Sequence, residues 1–221
     1  MLAVVVADGE PSPDDARRLG AADLAVAADG GARWLESNGR RPDLVVGDLD
    51  SLEPDAVERL RAAGARIVRH PAEKDASDTE LALLEALAAG ADSVVLLGAL
   101  RGQRIDHELA NILLLTDPRF ESRDIRIAQG RRTIRALTGG RRLITEAPVG
   151  SIVTLLPVGG DAIGVTTRGL RYPLKAETLR MGASRGLSNE VVERRASVRL
   201  EIGTLLLIEV GDEKGSDHEP A

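Results

Sequence analysis

The chain has 221 residues, 43% of them hydrophobic, and a formal net charge of −6. This is room for one large domain or two small ones, and the negative balance argues against general nucleic-acid binding. With no cysteine and three scattered histidines, disulfides, thiolate nucleophiles and thiolate or His-based zinc sites have no material to form from.

From the N-terminus to about residue 130, short apolar runs alternate with helix-length patterns. Residues 3–7, 24–28, 44–46, 66–68, 93–97 and 125–128 read as strands. Residues 14–19, 32–37, 56–62, 77–89 and 106–115 read as helices between them. Strand–helix alternation predicts a mostly parallel sheet covered by helices. Ser77-Asp78-Thr79-Glu80 has the pattern of a capping box, with Ser77 capping and Glu80 reaching back, and it puts Leu81, Leu84 and Ala88 on the inner face. Asp106 is expected to cap the next helix, with Leu109, Ile112 and Leu113 inward.

After residue 131 the helical period disappears. Residues 133–137, 141–145, 151–156, 163–167, 191–195, 197–202 and 205–210 are short, β-branched or alternating runs separated by Gly and Pro. The expected organisation is an α/β domain over 1–130, an all-β, sandwich-like domain over 131–210, and a polar, disordered tail over 211–221. With one Trp, one Tyr and one Phe, both cores must be built from Leu, Val, Ile and Ala. No run approaches the roughly 18 apolar residues of a membrane span. The apolar start lacks a basic leader, so no membrane association and a cytoplasmic location are expected.

Four loops carry the chemistry. The run Leu44-Val45-Val46 ends in Gly47-Asp48-Leu49-Asp50-Ser51, at the strand edge where open α/β sheets bind ligands. In an extended chain Asp48 and Asp50 project to one side, where a hard cation such as magnesium relieves their repulsion and bridges to phosphates. A surface Asp/Ser turn would carry the same residues. Lys74-Asp75-Ala76-Ser77-Asp78 sets a lysine and two acids at a helix start, where phosphate and its metal can be held together, although a first-turn Asp also simply complements the helix dipole. The loop from Gly98 to His107 offers Arg101 or Arg104 to phosphate oxygens, beside Gly102. Ala28-Asp29-Gly30-Gly31 permits a tight turn after the second strand. From Arg101 to Arg142 ten Arg face five acids, a local excess suited to polyphosphate or to a solvated basic face. The Gly-x-x-x-x-Gly-Lys-[Ser/Thr] and Gly-x-Gly-x-x-Gly phosphate cradles are both absent from the sequence, so metal, Arg and Lys must handle phosphate.

Taken in order, Asp29-Gly30-Gly31, Gly47 to Ser51, Lys74 to Asp78, Arg104 to His107, Gly169-Leu170-Arg171-Tyr172-Pro173-Leu174 and Ser188-Asn189-Glu190 resemble the motifs of the thiamine pyrophosphokinase family. The resemblance runs from about residue 28 to residue 208. It implies an ATP-binding α/β domain before a thiamine-binding β-sandwich, and a homodimer with the active site between subunits. The implied reaction passes the terminal diphosphate of ATP to the thiamine hydroxyl and releases AMP, with Mg2+ as cofactor. By resemblance, Asp48, Asp50 and Asp78 hold magnesium and the phosphates. Asp75, Arg104 and Asp106 contact the nucleotide or the transferring group, with Asp29, Lys74 and Arg101 close by, and Ser188 and Asn189 lie near thiamine.

Three departures stand out. Ser77 replaces the family's usual Thr, the arginine loop is one residue longer than Gly-Gly-Arg, and the only Trp is Trp34, far from the C-terminal position some members use to stack thiamine. The proton acceptor is open between Asp78 and Asp106. Three other readings fit parts of the pattern. They are a pterin-type diphosphokinase on a related scaffold, a phosphatase with Asp48 as covalent nucleophile, and a non-catalytic nucleotide-binding module.

Overall fold

The computed structural model describes residues 1–211, so the tail expected to be disordered lies, apart from Gly211, outside the described residues. The chain divides into two compact units, Met1–Gly130 and Arg131 onward.

In the first unit, β1 (Leu2–Val6), β2 (Leu24–Ala28), β3 (Leu44–Gly47), β4 (Arg66–Arg69), β5 (Ser93–Leu97) and β6 (Asp124–Gln129) pair in parallel, in the order β6-β5-β1-β2-β3-β4. Ala3 to Val6 and Ala25 to Ala27 are fully buried, the continuous apolar reading of strands covered on both faces. Four helices connect them: α1 (Gly31–Ser37), α2 (Pro54–Ala62), α3 (Asp78–Ala88) and α4 (Ile105–Leu114). The chain steps from β1 out to β4, then returns to the other side of β1 to place β5. The switch point between β1 and β5 opens a crevice at the carboxyl ends of the strands.

Several local expectations are corrected. Residues 13–21 form 3-10 turns instead of an α-helix, because the buried Asp15 carboxylate accepts from the backbone of Ser12 and of Gly130 and from Arg18, ties that fix the segment from outside. Ser77 does accept from the backbone of Glu80 at 3.2 Å, but the Glu80 carboxylate takes Arg119 at 2.6 Å, a charged partner in place of the cap. The inner face of α3 is Thr79, Ala82, Leu83 and Ala86, not Leu81, Leu84 and Ala88. This helix is apolar almost all round, so periodicity does not pick a face, and the small residues let it lie close over β1, β2 and β3. In α4, Asp106 sits inside the first turn, and Leu109 and Leu113 are exposed while Asn111 is buried.

The second unit is antiparallel. β7 (Arg132–Thr138), β14 (Thr204–Val210), β9 (Ile152–Pro157) and β12 (Asn189–Glu190) pair in that order. A second sheet runs β11 (Glu177–Leu179), β10 (Ala162–Arg168), β13 (Ser197–Arg199) and β8 (Arg142–Ile144). Leu137, Val153, Leu155, Val165, Leu179, Val198, Leu205 and Leu207 pack between the sheets, making a sandwich whose inner faces alternate with polar outer residues. The predicted strand over 191–195 ends almost where it begins. Val191 makes one bridge to Leu170, and the turn closed by Ala196 on Glu193 bends the chain away. On the inner face, at one end, Arg135 and Glu209 form a buried ion pair at 3.3 Å. Removing one partner of such a pair costs about 3–5 kcal/mol. Among the described residues no helix is long and apolar enough to cross a membrane.

Candidate active site

The carboxyl ends of β1, β2, β3 and β5 and the starts of α3 and α4 enclose a cleft of about 930 Å³. Asp8, Asp29, Asp48, Lys74, Asp75, Asp78, Arg104 and His107 are on its walls.

The loop after β3 is a turn and not the extended segment the sequence suggests. Leu49 has φ +67 because its side chain is driven into the core, where it is 3% exposed. Asp48 and Asp50 therefore converge through the turn, and the Asp50 backbone N–H donates to Asp48 Oδ1 at 3.2 Å. Asp29, at φ +46 at the end of the neighbouring β2, completes the group. Asp29, Asp48 and Asp50 each present an oxygen within 4.8 Å of the others. Gly47, at φ +151, allows this crowding. A Cβ there would lie 3.0 Å from Asp78 Oδ1 and 3.2 Å from the Asp29 Cβ, in a backbone region that L residues avoid.

The electrostatics follow from this packing. Asp29 is 7% exposed, and its buried Oδ1 has no hydrogen-bond partner. Burial raises its carboxyl above the ordinary value; the Ser51 hydrogen bond opposes this, and repulsion from Asp50, Asp78 and Asp48 adds to it. Asp48 goes the other way, lowered by the Asp50 backbone and by Lys74. The Lys74 ammonium lies 2.7 Å from Asp78 Oδ1 and 3.5 Å from Asp48 Oδ2. Its own pKa is raised, since burial, which lowers it, is outweighed by Asp78 and Asp48.

On the facing loop Arg104 grips Asp106 with two hydrogen bonds, at 2.9 and 2.5 Å, and this holds the Asp106 carboxyl down at about 2. Asp106 itself does not line the cleft, and neither does Arg101, an exposed residue at φ +62. Asp50 lines the adjoining groove, beside Leu52 and Arg69. The sequence reading passed over Asp8 and Arg33. The Arg33 guanidinium donates to Asp8 at 3.0 Å and to the Ser51 carbonyl, clasping the loop after β1 to the acidic turn after β3. Asp8-Gly9 follows an apolar strand just as Gly47-Asp48 does, and that positional signal would have found it.

Comparison with known proteins gives the cleft a family. The family model described as "Thiamin pyrophosphokinase, catalytic domain" matches residues 16–127, half of the chain. The chain belongs to the thiamine pyrophosphokinase family. The model "Thiamin pyrophosphokinase, vitamin B1 binding domain" matches residues 142–205. Thiamine pyrophosphokinase of Bacillus subtilis is 29% identical over 189 residues, covering 86% of this chain and 88% of that protein. Thiamine pyrophosphokinase 2 of Oryza sativa is 28% identical over 211 residues, covering 85% and 78%. Among solved structures, a thiamin pyrophosphokinase family protein from Enterococcus faecalis superposes with a TM-score of 0.84 at 28% identity, over 96% of this chain and 100% of that one.

Within the second unit, the other two residues singled out from sequence have defined contacts. Asn189 is buried. Its Oδ1 accepts from the Tyr172 and Glu190 backbones at 3.0 and 2.9 Å, and its Nδ2 donates to the Tyr172 carbonyl at 2.7 Å. Ser188, at φ +55, donates its backbone N–H to Thr154. Asn189 is thus a splint that fixes the Tyr172 segment to β12.

An acid whose folded-state pKa is raised contributes stability that is complete below the unfolded value and lost as pH rises through the folded one. Asp29→Asn keeps the left-handed backbone and the acceptor for Ser51. It is expected to raise the melting midpoint of the metal-free protein at pH 7 and to change it little near pH 3. Calorimetry at both values in the presence of a chelator checks this, and a lower midpoint at pH 7 would sink the like-charge account of the turn.

Proposed function

We propose that the cleft catalyses transfer of the terminal diphosphate of ATP to the thiamine hydroxyl, releasing AMP. The observation that carries this reading is the convergence of Asp29, Asp48 and Asp50 beside Lys74 and Asp78, at the carboxyl ends of β2 and β3 in a member of this family. The vitamin B1 binding match over 142–205 favours thiamine over a pterin acceptor.

The residues present fit a magnesium ion. They offer hard carboxylate oxygens, one of them buried without a partner, in a group whose mutual repulsion a divalent cation relieves. Asp48, Asp50 and Asp78, with Asp29, would hold it. When bound, the ion would neutralise charge on the phosphate oxygens of ATP. The chain's own groups do the rest. The α3 N-terminus and Lys74 bind phosphate oxygens, and Asp75 meets the nucleotide on the cleft wall. Arg104 presents its guanidinium to the transferring group, and Asp106 orients it. A carboxyl held at about 2 accepts protons poorly at neutral pH, so Asp106 positions Arg104 and takes no proton from the substrate. Direct in-line attack of the thiamine hydroxyl on the β-phosphorus then breaks the bond from that phosphorus to the bridging oxygen of AMP, which leaves with the electron pair. The hydroxyl proton passes to Asp78, and the step depends on alignment and charge neutralisation.

Thiamine needs an aromatic or apolar face to rest on. Phe120 is buried and Trp34 packs against the first core, whereas Tyr172 is 59% exposed on the segment that Asn189 holds. We assign the stacking role to Tyr172, with Ser188 beside the ring. The active site is completed by a second copy of the chain. In support, Ile105, Leu109 and Leu113 on α4 are 72%, 54% and 50% exposed, one turn apart, an apolar row suited to an isologous contact. We place the protein in the cytoplasm, where both ATP and magnesium are available.

An assay with ATP, magnesium and thiamine should yield AMP and thiamine diphosphate in equal amounts. Asp48→Asn and Asp50→Asn should each lower kcat by at least about a hundredfold without changing the circular dichroism spectrum. Near-normal turnover in both, or diphosphate passed to a hydroxymethylpterin instead, would overturn the reading. For the stacking role, Tyr172→Ala should raise KM for thiamine about two- to tenfold, the effect of a ring contact worth ~0.5–1.5 kcal/mol. Tyr172→Phe should restore it, and an unchanged KM in the alanine variant removes Tyr172 from the pocket. Leu109→Glu with Leu113→Glu should convert a dimer to a monomer in sedimentation. A monomeric wild-type protein would contradict the assembly.

A further inference from the structure

Lys74 occupies an unusual place for a phosphate-binding residue. Its side chain is 13% exposed, and its ammonium rests between two carboxylates, Asp78 at 2.7 Å and Asp48 at 3.5 Å, of which Asp48 also belongs to the group of acids that could hold a metal ion. Asp29 and Asp50 crowd Asp48 from the other side, so the lysine's two acids belong to a group of four carboxylates. The second basic group nearby, Arg33, is engaged by Asp8 and the Ser51 carbonyl. The Asp29 oxygen left without a partner is nine-tenths buried, so one ammonium does not satisfy the cluster. An ammonium and a divalent cation cannot share the Asp48–Asp78 pair, because they repel at contact distance in a partly dehydrated site. A partly buried lysine held by two acids also does not readily leave them unless another anion receives it.

We propose that Lys74 is a resident counter-cation which closes the metal site until nucleotide arrives. It swings on its four-carbon stem from the Asp48–Asp78 pair to the phosphates of ATP. That vacates two carboxylates for the divalent ion at the moment the ion's phosphate ligands are supplied. The lysine stays protonated throughout and changes only its partner. Nucleotide and divalent ion therefore bind cooperatively, each tightening the other by the same factor, and the ion alone binds weakly. This rests on the reading of Asp48 and Asp78 as metal ligands.

The test measures Mn2+, a paramagnetic substitute for Mg2+, on the full chain by electron paramagnetic resonance, with and without a non-hydrolysable ATP analogue. In the wild type the analogue should tighten Mn2+ binding about tenfold or more, within the range of ordinary coupling. Lys74→Met should bind Mn2+ alone about tenfold more tightly than the wild type and lose most of the coupling. It should also bind the analogue more weakly. Lys74→Gln, which keeps the length and polarity, should behave the same way and covers the case of a poorly folding methionine variant. Asp48→Asn should lose Mn2+ binding in either background. Mn2+ binding that is unchanged or weakened in both Lys74 variants, while Asp48→Asn still abolishes it, would overturn the switch and leave the metal site standing. A wild type that binds no Mn2+ even with the analogue would overturn both.

Discussion

Like-charge repulsion at the ends of two neighbouring strands and the start of one helix is the constraint around which the first unit is built. Asp29, Asp48, Asp50 and Asp78 are brought together by backbone that the chain would otherwise avoid. Among the described residues five non-glycine positions have positive φ, namely Asp29, Leu49, Arg101, Ala176 and Ser188. Asp29, Leu49 and Ser188 fall in the segments that carry the family resemblance, and Arg101 lies in the loop just before one of them. Strain of this kind costs about 1–3 kcal/mol per residue and persists only where the surroundings over-determine it. At Leu49 the surroundings are the core itself. The leucine is pulled inward by burial, and the two acids on either side are left facing one another.

That arrangement is stabilised locally and not by the bulk of the fold. Lys74 supplies a close ammonium, the nearby Ser51 hydroxyl works against the rise of the Asp29 carboxyl, and Arg33 clasps the turn to Asp8. Each support acts on a different loop, so the cleft is assembled from contacts distant in sequence. The sheet contributes position. Its order brings the ends of β2 and β3 side by side, and the return to β5 leaves the crevice open beside β1. The acidic floor and the basic facing loop with Arg104 are then opposite in charge, the arrangement wanted for a polyphosphate and its cation.

The scarcity of aromatics shapes the rest. Both cores are made of Leu, Val, Ile and Ala, which pack well but offer no ring to a heteroaromatic substrate. The one exposed ring among the described residues, Tyr172, is held by both polar ends of the Asn189 amide. A buried amide bonded at both its oxygen and its nitrogen fixes its neighbour more firmly than an exposed one could, because losing those bonds would leave a desolvated polar group. Asn189, which the family resemblance puts near thiamine, is the splint of the Tyr172 segment.

The fold class was legible because strand and helix periods are local properties, and the change of rhythm near residue 131 is written in consecutive residues. The placement of Asp48, Asp50, Lys74, Asp78 and Arg104 at strand ends and helix starts was legible for the same reason. The details that fail are those where a local pattern has more than one solution. An all-round apolar α3 has no unique face, and the α4 pattern that reads as an inward stripe is turned outward, with Asn111 inside bonding the Ala99 carbonyl. The extended reading of Gly47 to Ser51 gave the right convergence for the wrong reason, since burial of Leu49 bends the turn. Residue types and spacings alone determined which loops carry acid, base and flexibility. Only the tertiary structure decided that Asp29 joins Asp48 and Asp50, that Lys74 lies on the acids and not free for phosphate, and that Arg33 ties Asp8 to the turn. Those contacts depend on strand order and on charges meeting across tens of residues, and no local period encodes either.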